Sequence, residues 1–218
     1  MLTLNYVYDP MCSWCYAFAP TWKRISNELP VSVSVEYVVG GLASDSDHPM
    51  SQEMCAYIEG TWRHILEIVP NTEFNFDFWI RCEPRRSTYP ACRAVLAAKH
   101  FDPKFEAAMI DKIQVAYYRE ARNPSDIDTL CELAAELGIE VRFFREFLTG
   151  ERCEAILKES FQKRRNFGVR AFPTLVLESI DGSVVVPHDF SDPLVTLNAI
   201  AVAQTTDVMK RAQPKPFV

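Results

Sequence analysis

Two cysteines near the start of the chain are the residues whose type and spacing most directly indicate chemistry. Cys12 and Cys15 lie in the stretch DPMCSWCYAFAPTW, from Asp9 to Trp22, where a strand-like segment gives way to a helix. The first turn of a helix has backbone N–H groups without intrahelical acceptors and carries the positive end of the macrodipole. A thiolate at Cys12 is therefore stabilised relative to the thiol, which predicts a reactive cysteine.

Cys15 follows one helical turn later and is predicted to lie within reach of Cys12 for a disulfide. Such a pair attacks a disulfide through the first thiolate and releases the resulting mixed disulfide through the second thiol. The sequence CSWC therefore favours thiol–disulfide exchange, with Cys12 as the nucleophile and Cys15 as the resolving thiol.

Two other interpretations of the pair stay open. A zinc site needs a second pair of Cys or His ligands at similar spacing, whereas the four histidines and the other cysteines are scattered singly. The second interpretation is a pair of inert buried thiols. Redox chemistry is favoured over both, and we expect neither a metal nor a cofactor. The single cysteines are Cys55, Cys82, Cys92, Cys131 and Cys153.

The composition is that of an acidic globular protein. With 218 residues, of which 48% are hydrophobic and 12% aromatic, the chain can form one sizeable core or a domain with a large insertion. A formal net charge of −6 argues against nucleic acid or an anionic membrane as a partner, and no apolar run approaches the ~20 residues of a membrane span. Because Cys12 leaves no room for a signal peptide before it, we expect a cytoplasmic protein with mostly reduced thiols.

The segments around the cysteines predict a βαβ unit. Leu2 to Tyr8 and Val31 to Val39 are rich in β-branched and aromatic residues, as strands are, and a helix from about Ser13 to Leu29 connects them. Pro20 lies inside that helix and predicts a kink one turn beyond the cysteines.

The rest of the chain is predicted to be mostly helical. Successive amphipathic helices without a strand pair extend from about Ala43 to Gly150, and another helix runs from Glu151 to Phe167. A hairpin then turns at Asp181-Gly182, and a final helix follows Asp192-Pro193. We expect the tail after Lys210 to be loose.

Five sequence features identify a family resemblance that covers nearly the whole chain. They are YDPMCSWCY at the active helix, Pro20 five residues after Cys15, GGL from Gly40 to Leu42, STYPACRA from Ser87 to Ala94, and GVRAFPTLV from Gly168 to Val176. With these features the chain resembles the DsbA family of the thioredoxin superfamily, in the cytosolic branch that includes FrnE-like protein-disulfide isomerases.

The resemblance implies an α/β, thioredoxin-like fold with a large all-helical insertion, as in DsbA. Residues 1–42 and 151–218 would form the thioredoxin-like domain, and residues 43–150 the helical insertion domain. It also implies a thiol–disulfide oxidoreductase or protein disulfide isomerase that acts on protein or small-molecule thiols and disulfides, glutathione among them. The oligomeric state is not indicated.

The family also implies a cis bond between Phe172 and Pro173, with Pro173 beside the cysteines. Phe172 would there offer main-chain hydrogen bonds to an extended substrate next to Cys12. The spacing alone favours a trans proline that merely begins an edge strand. Trp14, inside the motif, is either an exposed aromatic contact for substrate or a ring packed against the helical block.

One position departs from the family pattern. The relatives usually carry a buried acidic residue six residues before the first cysteine, where this chain has Tyr6. The usual proton acceptor for Cys15 is therefore absent. Asp9 is the nearest carboxylate in the sequence, and it is explained equally well as a substitute acceptor or as an acid of the turn ahead of Pro10.

Two competing functions stay open. Glutathione-dependent transferases or isomerases of the kappa-class and 2-hydroxychromene-2-carboxylate isomerase type share the fold. They usually have a serine at the position of Cys12, so the retained pair argues against this function. A non-catalytic binding or chaperone module would instead use Trp14 and the aromatic stretch from Asn71 to Trp79 as an apolar surface.

Overall fold

The computed structural model describes residues 2–212 of the chain and the side chains of residues 2–205. Along the described residues the elements follow the order βαβ, seven helices, two strands and a final helix. The predicted loose tail after Lys210 falls mainly on residues 213–218, which lie outside the described residues.

The strands form one mixed sheet. They are β1 (Leu2–Tyr8), β2 (Val33–Val39), β3 (Thr174–Ser179) and β4 (Gly182–Val186). Their order is β2-β1-β3-β4, with β1 parallel to β2 and antiparallel to β3. β3 and β4 form the antiparallel hairpin that Asp181-Gly182 predicts. The predicted βαβ unit and the predicted hairpin are therefore both confirmed.

The second strand begins two residues later than predicted, at Val33. The backbone N–H of Val33 donates to the Pro30 carbonyl over 2.9 Å, which closes a turn after the first helix. Val31 lies in this turn and is fully exposed, although its β-branched side chain is typical of a strand. Local turn geometry therefore prevails over strand propensity here.

The first helix, α1 (Ser13–Glu28), connects β1 and β2. Its start places the cysteine pair just beyond the carboxyl end of β1. Phe18, Trp22 and Ile25 are buried against the strands, which follows from their helical spacing on one face. The helix continues through Pro20, and the kink there stays a prediction.

The helices that follow confirm the predicted helical block. Residues 43–150 contain α2 (Gln52–Ile68), α3 (Phe78–Arg81), α4 (Tyr89–Phe101), α5 (Phe105–Tyr118), α6 (Ile127–Glu136) and α7 (Val141–Leu148). The chain then returns through α8 (Glu151–Asn166) to the hairpin and ends in α9 (Leu194–Ala212). The division into residues 1–42 with 151–218 and residues 43–150 stays a prediction, since one cluster of buried side chains includes members of both parts.

Trp62 of α2 organises the aromatic packing inside the helical block. Its fully buried indole stacks on Phe74 at 4.9 Å between ring centroids and meets the edges of Tyr117 and Tyr118 at 5.5 Å and 5.2 Å. Phe78 is buried against the same group. The aromatic stretch from Asn71 to Trp79 therefore packs inward to a large extent, because its rings fill the space around Trp62.

Two adjacent glycines let the chain leave β2 next to the site. Gly41 has φ of +68°, in the left-handed region that a residue with a Cβ adopts at a cost of about 1–2 kcal/mol. A Cβ at Gly41 would also overlap the Phe161 ring and lie 2.8 Å from a Tyr89 ring carbon. The path from sheet to insertion therefore requires glycine at this position.

We expect Gly41→Ala to lower the free energy of unfolding by roughly 2–4 kcal/mol, from backbone strain and overpacking together. Gly60→Ala is the matched control, because Gly60 lies within α2 and a Cβ there would meet nothing within 4 Å. It should instead raise stability by about 0.5–1 kcal/mol. Urea unfolding of the two variants measures the difference, and equal stabilities would contradict the prediction.

Candidate active site

Cys12 occupies the N-cap position of α1. Its backbone is extended, with φ −82° and ψ 119°, and its carbonyl accepts the first helical hydrogen bond from the Tyr16 N–H at 3.0 Å. Cys12 as a residue is 7% exposed, whereas Cys15 is fully buried one turn below it. The structure therefore places the two cysteines together at the helix start, with Cys12 outermost, and all seven thiols are free.

The two sulfurs have opposite electrostatic environments. A hydrogen bond from the Cys15 thiol lowers the pKa of Cys12 below its ordinary value, and the backbone N–H groups of Cys15 and Trp14 act in the same direction. Burial and the charge of Asp9 oppose this shift in the pKa of Cys12. Burial raises the pKa of Cys15 well above its ordinary value, and the hydrogen bond and charge of Cys12 add to it. The arrangement therefore favours a thiolate at Cys12 and a protonated thiol at Cys15.

The Phe172–Pro173 bond is cis, as the family resemblance implies, and it lies beside the outer cysteine. The Phe172 carbonyl is 3.7 Å from Cys12 Sγ and accepts the thiol proton. The Phe172 ring covers Gly40 so closely that a Cβ at Gly40 would overlap it. The Phe172 carbonyl therefore lies beside the sulfur of Cys12, although the two residues are 160 positions apart in the chain.

Trp14 packs against both sides of the site. Its indole lies 5.2 Å from the Phe190 ring and 6.1 Å from the His64 ring of α2, measured between centroids. The ring is half-buried and also lines the cleft in front of Cys12. The two roles that the sequence left open are compatible, since the indole contacts His64 of the helical block while part of the ring stays accessible.

A cleft of about 220 Å³ opens in front of Cys12, between the active helix and the helical insertion. Its walls are largely apolar, and three arginines add positive charge: Arg85, Arg86 and Arg170. Arg85 forms an ion pair with Asp126. Arg86 and Arg170 have no carboxylate partner among residues whose side chains the structure describes. Sequence reasoning did not identify Arg86 and Arg170 as residues of the site, because they come from loops far apart in the chain.

Asp9 is the most extensively bonded side chain next to the cysteines. Its fully buried carboxylate accepts hydrogen bonds from the backbone N–H groups of Met11 and Leu42, at 2.8 Å and 2.6 Å. It also accepts from the Thr88 hydroxyl at 2.7 Å and from the Cys92 thiol at 3.6 Å. These donors occupy its oxygens, so Asp9 acts as a structural acid of the turn and its surroundings.

Tyr6, at the position that is acidic in relatives, lies beneath the pair. Its side chain is buried, and its ring lies 4.5 Å from the Trp22 ring between centroids. Burial raises the pKa of Tyr6 well above its ordinary value, with the charges of Cys15 and Cys12 adding to the effect. The hydroxyl is therefore neutral at physiological pH.

Within the part of the chain that the structure describes, no three His, Cys, Asp or Glu side chains are grouped as ligands of a metal ion.

The candidate site consists of the cysteine pair, the cis-proline loop, Trp14, the basic cleft and the buried residues Asp9 and Tyr6.

The fold and the paired cysteines define the class as thioredoxin-like thiol–disulfide oxidoreductases of the DsbA type. The family model described as Thioredoxin matches residues 6–183. The chain belongs to this thioredoxin family.

Two solved structures are similar over nearly their whole length. A candidate protein disulfide isomerase from Nitrosomonas europaea is 25% identical, with a TM-score of 0.82, and the match covers 94% of this chain and 98% of that one. The cytosolic disulfide reductase DsbM from Pseudomonas aeruginosa is 28% identical, with a TM-score of 0.73, over 95% of this chain and 99% of DsbM. DsbM has also been solved with glutathione.

A curated relative, the ClpXP adapter protein SpxH of Halalkalibacterium halodurans, is 24% identical over 175 residues. The match covers 77% of this chain and 56% of the relative. The chain therefore spans little more than half the length of this relative.

We expect Asp9→Asn to lower the pKa of Cys12 further, because the negative charge of Asp9 raises it. The variant should also lose roughly 1–3 kcal/mol of stability, since an amide cannot accept all the hydrogen bonds of the carboxylate. Thiolate absorbance in the ultraviolet, recorded against pH, measures the first effect. Thr88→Val is the control: it removes one donor to Asp9 but keeps the charge, so it should destabilise the protein without lowering the pKa of Cys12. An unchanged or raised pKa in Asp9→Asn would contradict the prediction.

Proposed function

We propose that the protein catalyses thiol–disulfide exchange at the CSWC sequence, with Cys12 as the nucleophile and Cys15 as the resolving thiol. The observation that carries this proposal is the position of the pair: Cys12 is the N-cap of α1 and lines the cleft, whereas Cys15 is fully buried one turn below it. Among the seven cysteines, only the pKa of Cys12 is lowered, and the pKa values of the other six are raised, in each case chiefly by burial.

The proposed exchange has two steps. The Cys12 thiolate attacks a substrate disulfide, forms a mixed disulfide and releases one substrate thiolate. Cys15 then attacks the sulfur of Cys12, so that the Cys12–Cys15 disulfide forms and the second substrate thiolate leaves. The substrate disulfide gains two electrons and the cysteine pair loses them. The reverse sequence oxidises a substrate dithiol.

We assign supporting roles to the residues around Cys12. Pro173 and Phe172 would border the bound disulfide, because the Phe172 carbonyl already lies 3.7 Å from Cys12 Sγ. Trp14 would form one wall of the cleft that holds the substrate. Each of these assignments is part of the proposal.

The charge of the cleft favours substrates that carry carboxylates. Arg86 and Arg170 line the space in front of Cys12 without acidic partners among the described side chains, so a carboxylate can bind there without displacing an ion pair. Glutathione carries two carboxylates and a thiol, and the similar protein DsbM has been solved with it. We therefore include glutathione or its disulfide among the proposed substrates, beside other small or protein thiols and disulfides.

The proposed location is the cytoplasm. It is supported by the similarity to DsbM, which is named a cytosolic disulfide reductase.

Separately, no helix within residues 2–212 is both long and apolar enough to span a membrane.

A second candidate function is a binding module without turnover, which the similarity to an adapter protein favours. That function needs an accessible apolar surface. The rings from Asn71 to Trp79 pack around Trp62 to a large extent, so this stretch offers less apolar surface than its composition indicates. The inward packing of these rings therefore favours the catalytic function.

The glutathione-dependent transferase or isomerase function remains the alternative enzymatic candidate. This function requires glutathione binding and a serine or cysteine at position 12, but it does not require Cys15. The behaviour of single-cysteine variants therefore separates it from thiol–disulfide exchange.

We predict that Cys12→Ser reduces disulfide reduction of insulin to the uncatalysed rate, because Cys12 lines the cleft and has a lowered pKa. Cys15→Ser should accumulate a mixed disulfide with substrate, since the resolving thiol is gone. Mass spectrometry of the trapped adducts checks both results.

A mixed disulfide formed through Cys15 in the Cys12→Ser variant would contradict the assignment of the nucleophile. Full activity in Cys15→Ser with glutathione, together with an isomerase or transferase product, would favour the glutathione-dependent alternative. Binding of unfolded protein without turnover by the unsubstituted chain would favour the binding module.

We also predict that Arg86→Ala and Arg170→Ala each raise the KM for oxidised glutathione about tenfold and change kcat little. A hydrogen bond to a charged group contributes about 1.5–3 kcal/mol, of which part is lost to solvent in an open cleft. The uncharged bis(hydroxyethyl) disulfide is the control substrate, and its KM should not change. Arg142→Ala, an exposed arginine of α7, is the control variant. Equal effects on both substrates would contradict a role in recognising carboxylates.

A further inference from the structure

A second groove lies between α1 and α5, and it shares no lining residue with the cleft in front of Cys12. It consists of two adjoining cavities of about 190 Å³ and about 480 Å³. The walls that the two cavities share are Ala19, Lys23, Asp111 and Gln114. Together the cavities fall within the range of about 300–1,000 Å³ that small-molecule sites occupy.

The smaller cavity is lined mainly by aromatic and aliphatic side chains. Trp22 of α1 and Ile110 of α5 face each other across it, and both are almost completely buried. The rings of Tyr6 and Tyr37, from the two parallel strands, line it from the side of the sheet. Trp22 Nε1 already donates to the Tyr37 hydroxyl at 3.1 Å. This cavity therefore suits an apolar or aromatic group.

Gln114 is a buried polar side chain at the junction of the two cavities. The residue is only 3% exposed, it lines both cavities, and its Nε2 has no hydrogen-bond acceptor among the described residues. Half a turn of the terminal amide exchanges its oxygen and nitrogen, so the side chain can turn a donor toward the groove. A buried amide without a partner is unfavourable, and an acceptor in the groove would satisfy it.

One charge of each sign lies at the same junction. Lys23 of α1 and Asp111 of α5 form no ion pair within 4 Å, either with each other or with any other side chain that the structure describes. The other two charged residues of the larger cavity, Glu73 and Arg119, pair with each other at 2.7 Å. The junction therefore offers one unpaired cation, one unpaired anion and one amide donor.

We propose that this groove binds a small zwitterion with an apolar body, the chemistry of an apolar or aromatic α-amino acid. The carboxylate of the ligand pairs with Lys23 and accepts a hydrogen bond from the Gln114 amide. The ammonium group pairs with Asp111, and the apolar body enters the smaller cavity beside Trp22. This site lies beyond the proposed function, because it requires neither cysteine of the pair.

The charges of the groove discriminate between classes of ligand. A ligand with a carboxylate alone leaves Asp111 unpaired, and a ligand with an amine alone leaves Lys23 unpaired. Charge-assisted hydrogen bonds are stronger than neutral ones, so a ligand that carries both charges gains from both walls of the groove.

The test compares three probes that share a phenyl ring and differ in charge. They are L-phenylalanine, 3-phenylpropionate, which lacks the ammonium group, and phenethylamine, which lacks the carboxylate. Isothermal titration calorimetry gives the Kd of each. A buffer of about pH 8 keeps Asp111 charged although burial raises its pKa. Each missing charge should raise the Kd about tenfold, because part of a charge-assisted bond is lost to solvent in an open groove.

Variants of the two charged residues assign each ligand charge to its wall. Asp111→Asn should bind L-phenylalanine and 3-phenylpropionate equally, since the partner of the ammonium group has lost its charge. Lys23→Met should bind L-phenylalanine and phenethylamine equally. The matched controls are Asp181→Asn and Lys158→Met, because both residues are exposed and line neither cavity. The controls should keep the tenfold preferences.

Gln114→Leu tests the amide donor. It should raise the Kd of the two carboxylate probes about fivefold and leave the Kd of phenethylamine unchanged, because only a carboxylate accepts from the amide. A purely structural role of Gln114 would change the binding of all three probes alike.

Two further variants separate this site from the substrate cleft. Cys12→Ser and Arg86→Ala should keep the Kd of L-phenylalanine, since both residues line only the cleft. The inference is overturned if L-phenylalanine does not bind saturably, if the three probes bind equally, or if Arg86→Ala abolishes binding. Absence of thiol–disulfide exchange in the unsubstituted protein would overturn the proposed function alone, because the calorimetric result does not depend on exchange.

Discussion

The buried carboxylate of Asp9 is the interaction on which the site depends most. Its hydrogen bonds connect the turn before α1, the loop after Gly41 and the start of α4, through Met11, Leu42 and Thr88. Three sequence motifs that lie far apart therefore meet at one side chain. Such a network stabilises only when its donors are all present, because a buried charge without partners is strongly unfavourable. The position of Cys12 relative to the helical insertion follows from this network.

Burial also distinguishes the pKa values of the two thiols in the site. Cys12 and Cys15 have the same chemistry in an unfolded chain, and their difference arises from depth and from the direction of the helix. At the helix start, backbone N–H groups reach Cys12, while Cys15 lies one turn deeper in an apolar environment. The negative charge of Asp9 raises both pKa values, so it tempers the acidity of Cys12 and reinforces the neutrality of Cys15. Depth and the helix start, rather than Asp9, therefore distinguish the two thiols.

Much of the fold and the centre of the site could be predicted from sequence, because their signals are local. The strand before the cysteines, the helix from Ser13 and the hairpin at Asp181-Gly182 each follow from periodicity or turn chemistry within a few residues. The cis form of Pro173 needed the family resemblance, since spacing alone favoured a trans bond. Two partners of Asp9, Leu42 and Thr88, could not be derived, because they lie 33 and 79 residues away and no local pattern connects them to it.

The net charge of the chain did not indicate the positive charge of the cleft. A formal charge of −6 describes the whole chain and disfavours an extended basic footprint, but it has no bearing on a cavity only a few residues wide. Many arginines and lysines form ion pairs on the surface, whereas Arg86 and Arg170 have no acidic partner among the described side chains. Arg86 is partly buried in the cleft wall, so its charge is screened less than that of the exposed Arg170. The positive charge beside Cys12 is therefore a local feature of an acidic protein, and the proposed recognition of carboxylates depends on it.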